Sequence, residues 1–156
     1  SRSGYHPAMT QGAWEIYYHH RLQVELYSDA IDLLERALAN PGHIRLAAVT
    51  NGNADLSRIG IDHHFVACIR AQEVAARKPE PAIWQQLIQR TGVNPEQILH
   101  VGDHPLEDAE GARNMGIQAV WLNRSQQEWP LSSPAPSHIQ SLQPIAQACF
   151  GDATTN

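Results

Sequence analysis

Ile98-Leu99-His100-Val101-Gly102-Asp103-His104-Pro105-Leu106-Glu107-Asp108 decides how the rest of this chain is read. Ile98 to Val101 is a short apolar run bounded by a breaker, the pattern of a buried parallel strand. Gly102 ends it, Asp103 stands at its C-terminal end, and Asp108 lies just inside an expected helix running to Met115. A carboxylate on the loop and another on the first helical turn can converge on one point. In open α/β sheets that edge, outside the carboxyl ends of the strands, is where ligands bind. Carboxylates gathered there suit a hard divalent cation, and Mg²⁺ is commonly held by one or two carboxylates with waters and substrate phosphate. Taken alone, Asp103 is equally a turn residue and Asp108 a helix-start residue favoured by the dipole.

Working upstream, Ile44 to Val49 reads as a strand that runs into Thr50-Asn51-Gly52-Asn53. A hydroxyl, an amide and a glycine directly after a buried strand let backbone N–H groups face an anion at close range. The same tetrapeptide is also an ordinary turn. Asp55 to Gly60 allows one helical turn, and Phe65 to Ile69 is a further apolar strand. Lys78 precedes Pro79 and is therefore biased to an extended backbone, and Pro79 and Pro81 suit a helix entrance. That helix is expected to reach Arg90, with Ile83, Leu87 and Ile88 inward and Gly92 closing it. Lys78 is otherwise a solvated surface lysine.

Nearer the N-terminus, Ser28 is expected to cap a helix over Asp29–Leu38 with Ile31, Leu34 and Leu38 on its apolar face. Met9 to Leu26 is aromatic-rich with helical spacing. Trp14, Tyr17 and Tyr18 there suit helix packing, or a pocket that stacks on a planar ring. Downstream, Gly116 closes the 106–115 helix as a C′ residue, Ile117 to Leu122 is the next strand, and Asn123-Arg124 lies at its C-terminal edge. A last strand or helix falls near Ile139–Phe150. Alternating β and α segments imply a parallel sheet flanked by helices. Thr50, Lys78 and Asp103 then all fall on one edge of it.

Composition bounds the rest. The 156 residues suit one domain, and 17% charged with 42% hydrophobic residues is an ordinary globular balance. A net charge of −5 argues against nucleic acid as partner, which calls for a concentrated basic face. No apolar run reaches the length of a membrane span. Two widely spaced cysteines, Cys68 and Cys149, make a disulfide framework unexpected and a reducing cytoplasm the default. His19-His20 and His63-His64 suggest zinc only weakly, since adjacent histidines point apart and no cysteine or carboxylate stands nearby at ligand spacing.

Val49-Thr50-Asn51-Gly52, then Lys78-Pro79, then Gly102-Asp103 with Asp108 five residues on resemble the second, third and fourth motifs of the haloacid dehalogenase (HAD) superfamily. The resemblance spans Ser28 to Arg124 and is most similar to phosphatases acting on flavin mononucleotide and on the phosphorylated pyrimidine intermediate of riboflavin synthesis. It implies an α/β, Rossmann-like core over 27–150, a helical-cap remnant over 1–26 and a tail over 151–156. The family's first motif, Asp-x-Asp-x-Thr, does not occur in this sequence. The chain therefore reads as the C-terminal portion of a longer enzyme, inactive by itself, with two strand edges open to pairing or self-association. The resemblance implies a Mg²⁺-dependent hydrolase of small phosphomonoesters that forms an aspartyl-phosphate on a residue outside this chain. Asp103 would ligate the metal, and Asp108 would complete its shell through water or hold Lys78. Thr50, with the Asn51 and Gly52 amides, would bind phosphate, and Lys78 would counter the charge of nucleophile and phosphate. A metal-independent dehalogenase and a non-catalytic HAD-fold binding protein are the alternatives.

Overall fold

The computed structural model describes residues 25–52 and 55–151. In chain order the elements are α1 (Ser28–Ala39), β1 (Leu46–Thr50), α2 (Leu56–Ile59), β2 (Phe65–Arg70), α3 (Ala71–Val74), α4 (Pro81–Thr91), β3 (Leu99–Gly102), a π-helical segment (Pro105–Glu110), α5 (Gly111–Arg113), β4 (Gln118–Leu122), β5 (Ser137–Ile139) and α6 (Gln143–Phe150). The expected cap segment, with Trp14, Tyr17, Tyr18 and His19-His20, lies outside the described residues but for its last two positions.

All strand pairings are parallel, in two groups: β1 with β2, and β3–β4–β5. Val49 stands opposite Ile69 and Thr50 opposite Arg70; Val101 stands opposite Val120 and Gly102 opposite Trp121. Among the described residues β1 has one ladder partner, β2, and the outer side of β3 has none. One core nonetheless joins the two groups. Ile69 of β2, Ile83, Trp84 and Leu87 of α4, Ala112 of α5 and Ile117 are buried together, with Val49 of β1 and Ala119 of β4 packed against them. Helix α4 supplies the largest share because its apolar residues recur at three- and four-residue spacing, one stripe facing the strands.

Several expectations need correction. Ser28 is the first residue of α1 rather than its cap; Tyr27 takes the cap position without a side-chain bond. Of the apolar face expected for α1 only Leu34 is buried, while Ile31 and Leu38 are 40% and 56% exposed. The uninterrupted helix expected over 106–115 is a π-helical turn followed by a three-residue α-helix. The wider turn lets the 104 carbonyl accept from both Asp108 and Ala109. The region around 139–150 contains both a strand and a helix. Cys68 and Cys149 are free thiols, as expected, and no helix of the described residues is long and apolar enough to cross a membrane.

Asp29 ties the ends of this fold together. Its Oδ1 accepts from Arg124 Nη2 at 3.0 Å and its Oδ2 from the Leu142 amide at 2.7 Å. The Arg124 guanidinium also lies over the Tyr27 ring, 4.1 Å from its centroid. The Arg124 hydrogen bond outweighs burial and holds the Asp29 carboxyl below its ordinary value of 3.8. A depressed folded-state pKa contributes stability that is present above the unfolded value and lost as pH falls beneath it. The melting temperature is accordingly expected to drop as pH falls below about 4. Asp29→Asn is expected to lower it at neutral pH and to flatten that acid slope, which thermal denaturation across pH 3–7 measures.

Candidate active site

Three chain segments meet at the C-terminal rim of the strands. The first is the end of β1. Thr50 Oγ1 accepts a hydrogen bond from the Gly52 amide at 3.0 Å, closing a tight turn. Asn51 reaches across to the second segment: its Nδ2 donates to the Lys78 carbonyl at 3.0 Å, and its Oδ1 accepts from the Lys78 amide at 2.7 Å. This two-way pairing mimics a strand ladder and fixes the Lys78 backbone beside the β1 tip. Asn51 Nδ2 also donates to Glu107 Oε2 at 2.8 Å, which brings in the third segment. Glu107 in turn accepts from Arg77 at 3.3 Å. The Asn51 side chain is thus wholly engaged with protein, and the expectation for this residue concerned its backbone amide. The Gly52 amide is likewise committed to Thr50.

Lys78 is buried, and its Nζ meets Asp108 Oδ1 at 2.5 Å. Asp108, 3% exposed, is held by two further donors: His100 Nε2 at 3.0 Å on Oδ1 and the His104 amide at 3.0 Å on Oδ2. Burial works to raise its pKa, but the His100 hydrogen bond and the Lys78 ammonium override it and keep the carboxyl well below the ordinary carboxylate range. Of the two parts expected for Asp108, the contact with Lys78 is present in the geometry, alongside His100 and the His104 amide. His100 was not singled out by the sequence reading. Its signal is a polar side chain within an otherwise apolar strand.

Asp103 differs from Asp108 in every respect. It is exposed at the end of β3, and among the described residues no hydrogen bond or ion pair engages its carboxylate. Its carbonyl accepts from the Trp121 indole at 2.9 Å, so the neighbouring strand fixes its backbone. Among the described residues no cluster of three or more histidine, cysteine or acidic side chains could hold a metal by itself; His63 and His64, expected to point apart, instead lie with their ring centroids 4.0 Å apart, tilted by 38°.

Two glycines make the convergence possible. A Cβ on Gly102 would lie 2.3 Å from Asp108 Cγ, and one on Gly111 would lie 3.0 Å from both Pro79 Cβ and Trp84 Nε1. The sequence marked Gly102 as a strand breaker; its larger task is to let Asp108 lie flat against β3. Gly102→Ala is expected to push Asp108 off Lys78 and to cost about 1–3 kcal/mol, the usual penalty of overpacking. Chemical denaturation reads the loss.

The haloacid dehalogenase-like hydrolase family profile matches residues 6–116. Phosphoserine phosphatase of Thermus thermophilus is 36% identical over 126 residues, 77% of this chain and 50% of that protein. (S)-2-haloacid dehalogenase 2 of Pseudomonas sp. is 32% identical, over 77% of this chain and 53% of that protein. The chain spans about half the length of these curated relatives. In three dimensions it superimposes on 2-haloacid dehalogenase from Pseudomonas syringae pv. tomato with a TM-score of 0.80 and 29% identity, over 93% of this chain and 64% of that one. The HAD phosphatase from Thermococcus onnurineus gives 0.71 and 31%, over 82% and 60%. With an α/β core of parallel strands and a family profile covering residues 6–116, most of its length, this chain belongs to the haloacid dehalogenase-like hydrolases.

Proposed function

We propose that this chain carries the phosphate-handling part of a Mg²⁺-dependent phosphomonoesterase. The observation that carries the reading is the Asn51 bridge, which joins the Thr50 turn to the Lys78 backbone and to the Glu107 segment between Asp103 and Asp108. Phosphoryl transfer asks a protein mainly to position groups and neutralise charge, and these residues are equipped for both. Because Thr50 Oγ1 already accepts from the Gly52 amide, its own proton is free to be donated to a phosphate oxygen. Lys78 directs one N–H at Asp108 and keeps two for the anionic substrate. Its ammonium offsets the repulsion between a phosphate and an attacking carboxylate. Asp103, a hard, unengaged oxygen donor on an anchored backbone, fits a Mg²⁺ ion that takes its other ligands from water and substrate. When bound, that ion supplies Lewis-acid polarisation of the phosphoryl oxygens. The attacking carboxylate, in this proposal, comes from outside these 156 residues and forms an aspartyl-phosphate that water hydrolyses.

The substrate class is a small phosphomonoester. Flavin mononucleotide and the phosphorylated pyrimidine of riboflavin synthesis are the first candidates, from the wording around Thr50-Asn51-Gly52-Asn53. The phosphoserine and glyceraldehyde 3-phosphate phosphatases among the relatives widen the set to be tried. A second reading, hydrolysis of a 2-haloacid without metal, draws support from the dehalogenases on both the sequence and the structural side. The unengaged Asp103 carboxylate favours the first, because a metal-free reaction leaves it without a task. A panel of phosphomonoesters and 2-haloacids, assayed on the full-length enzyme with Mg²⁺ and with EDTA, separates the two. Phosphate release that EDTA abolishes is the expected result. Halide release that persists in EDTA, with no phosphate release, would establish the second reading instead.

A further inference from the structure

We infer that His100 is a positioning residue of this site, a ring-braced donor that orients Asp108 so that the flexible Lys78 side chain meets a carboxylate already in place. The inference deepens the reading above and rests on it only for what Lys78 is for.

His100 lies on β3, three residues before Asp103, with its side chain 13% exposed. Its Nε2 and the Lys78 ammonium share a single acceptor, Asp108 Oδ1, while the His104 amide takes Oδ2. Two of the three groups on Asp108 are therefore stiff: a backbone amide, and an imidazole on a strand. The third is an ammonium at the end of a four-carbon stem, which loses much rotamer freedom when it is fixed. A carboxylate oriented in advance by the stiff pair spares Lys78 that search, the usual way a supporting shell sharpens a site.

The imidazole is itself held. Trp84 of α4, with no exposed surface, meets it edge-on, with ring centroids 4.8 Å apart and planes at 84°. Among the described residues the buried indole N–H has no hydrogen-bond partner, so what Trp84 contributes at this point is ring surface. Gly111 leaves it the room, since a Cβ there would lie 3.0 Å from Trp84 Nε1. The line of force runs from α4 through Trp84 to His100, Asp108 and Lys78. A histidine that only filled space would need no donor at Nε2, and this is the difference the experiment reads.

Lys78 is the only lysine of the 156 residues. A lysine-ammonium-selective ¹H–¹⁵N spectrum of this chain therefore holds one side-chain signal, and its exchange with water reports how firmly Asp108 grips it. In the wild-type chain a long-range ¹H–¹⁵N spectrum is expected to show His100 protonated at Nε2. His100→Leu, which keeps bulk and removes the donor, is expected to speed ammonium exchange about tenfold or more, the scale of one hydrogen bond to a charged group. His100→Gln, which restores a donor at the same reach, is expected to return the rate to within about threefold of wild type. His100 protonated only at Nδ1 would overturn the inference, and so would unchanged exchange in His100→Leu. If His100→Leu does not fold, the wild-type tautomer and the His100→Gln rate decide, and a Gln variant exchanging tenfold faster counts against the inference. Absence of phosphatase activity in the full-length enzyme would remove the reaction, not this arrangement. Unchanged exchange in His100→Leu of an active enzyme would remove the arrangement alone.

Discussion

Lys78→Met is expected to lose stability and activity together. Lys78 is buried against a carboxylate that is 3% exposed. Removing one partner of a buried pair leaves the other charge uncompensated, a loss of about 3–5 kcal/mol. His100 and the His104 amide still donate to Asp108, so the lower end of that range is the expected outcome of urea denaturation. Replacing both partners, as in Lys78→Met with Asp108→Leu, is expected to recover part of the loss, because the stranded charge goes with its partner. In the full-length enzyme each variant is expected to lower kcat by about 10²–10³, the scale of removing one preorganised charge from a phosphoryl-transfer site.

Asp103→Asn is expected to do the reverse: activity falls by about 10²–10³-fold while stability barely moves. The carboxylate is exposed and, among the described residues, engages no side chain or amide, so its removal disturbs no packing. What goes is one negative charge of a proposed metal site, where several kcal/mol of charge stabilisation reside. Extra Mg²⁺ is expected to recover part of the rate if the loss lies in metal affinity. Side by side, the two variants separate the parts of the neighbouring carboxylates. Asp108 contacts the lysine inside the fold; Asp103, in the proposed reading, is the carboxylate that takes the metal. A large stability loss in Asp103→Asn, or full activity in it, would contradict that division.

The difference between these carboxylates shows what the sequence could and could not tell. The alternation of apolar runs with Gly- and Pro-punctuated helices carried the parallel α/β core, because strand period and breaker chemistry are local properties. The same alternation led to the expectation that Thr50, Lys78 and Asp103 share one edge; the described strands form two parallel ladders, with Thr50 ending β1 and Asp103 following β3. The partner of Asp108 was left open between metal and Lys78, because it depends on a π-helical turn that recruits the His104 amide, which no local pattern announces. Asn51 was read for its turn propensity and its amide; its side chain proves to splice β1 to the Lys78 segment, 27 residues on. His100 escaped attention for the same reason, since its role appears only when α4 brings Trp84 beneath it. On α1 the apolar stripe was legible, but which part of it is covered was not. Burial there depends on what lies against the helix, and Tyr27, Ile31 and Leu38 remain open to solvent. Ser28 is not the cap because α1 begins one residue earlier than expected, at Ser28, with the Tyr27 carbonyl accepting from the Ala30 and Ile31 amides.

The central claim is that Thr50, Lys78 and Asp103 surround one hollow that takes a divalent cation and phosphate. Mn²⁺ added to the ¹⁵N-labelled chain with inorganic phosphate tests it most directly, since the ion broadens amide signals steeply with proximity. Broadening centred on residues 102–104 and reaching 50–52 and 78, and abolished by Asp103→Asn, is the predicted result. Broadening centred elsewhere, or unchanged in Asp103→Asn, would contradict the account.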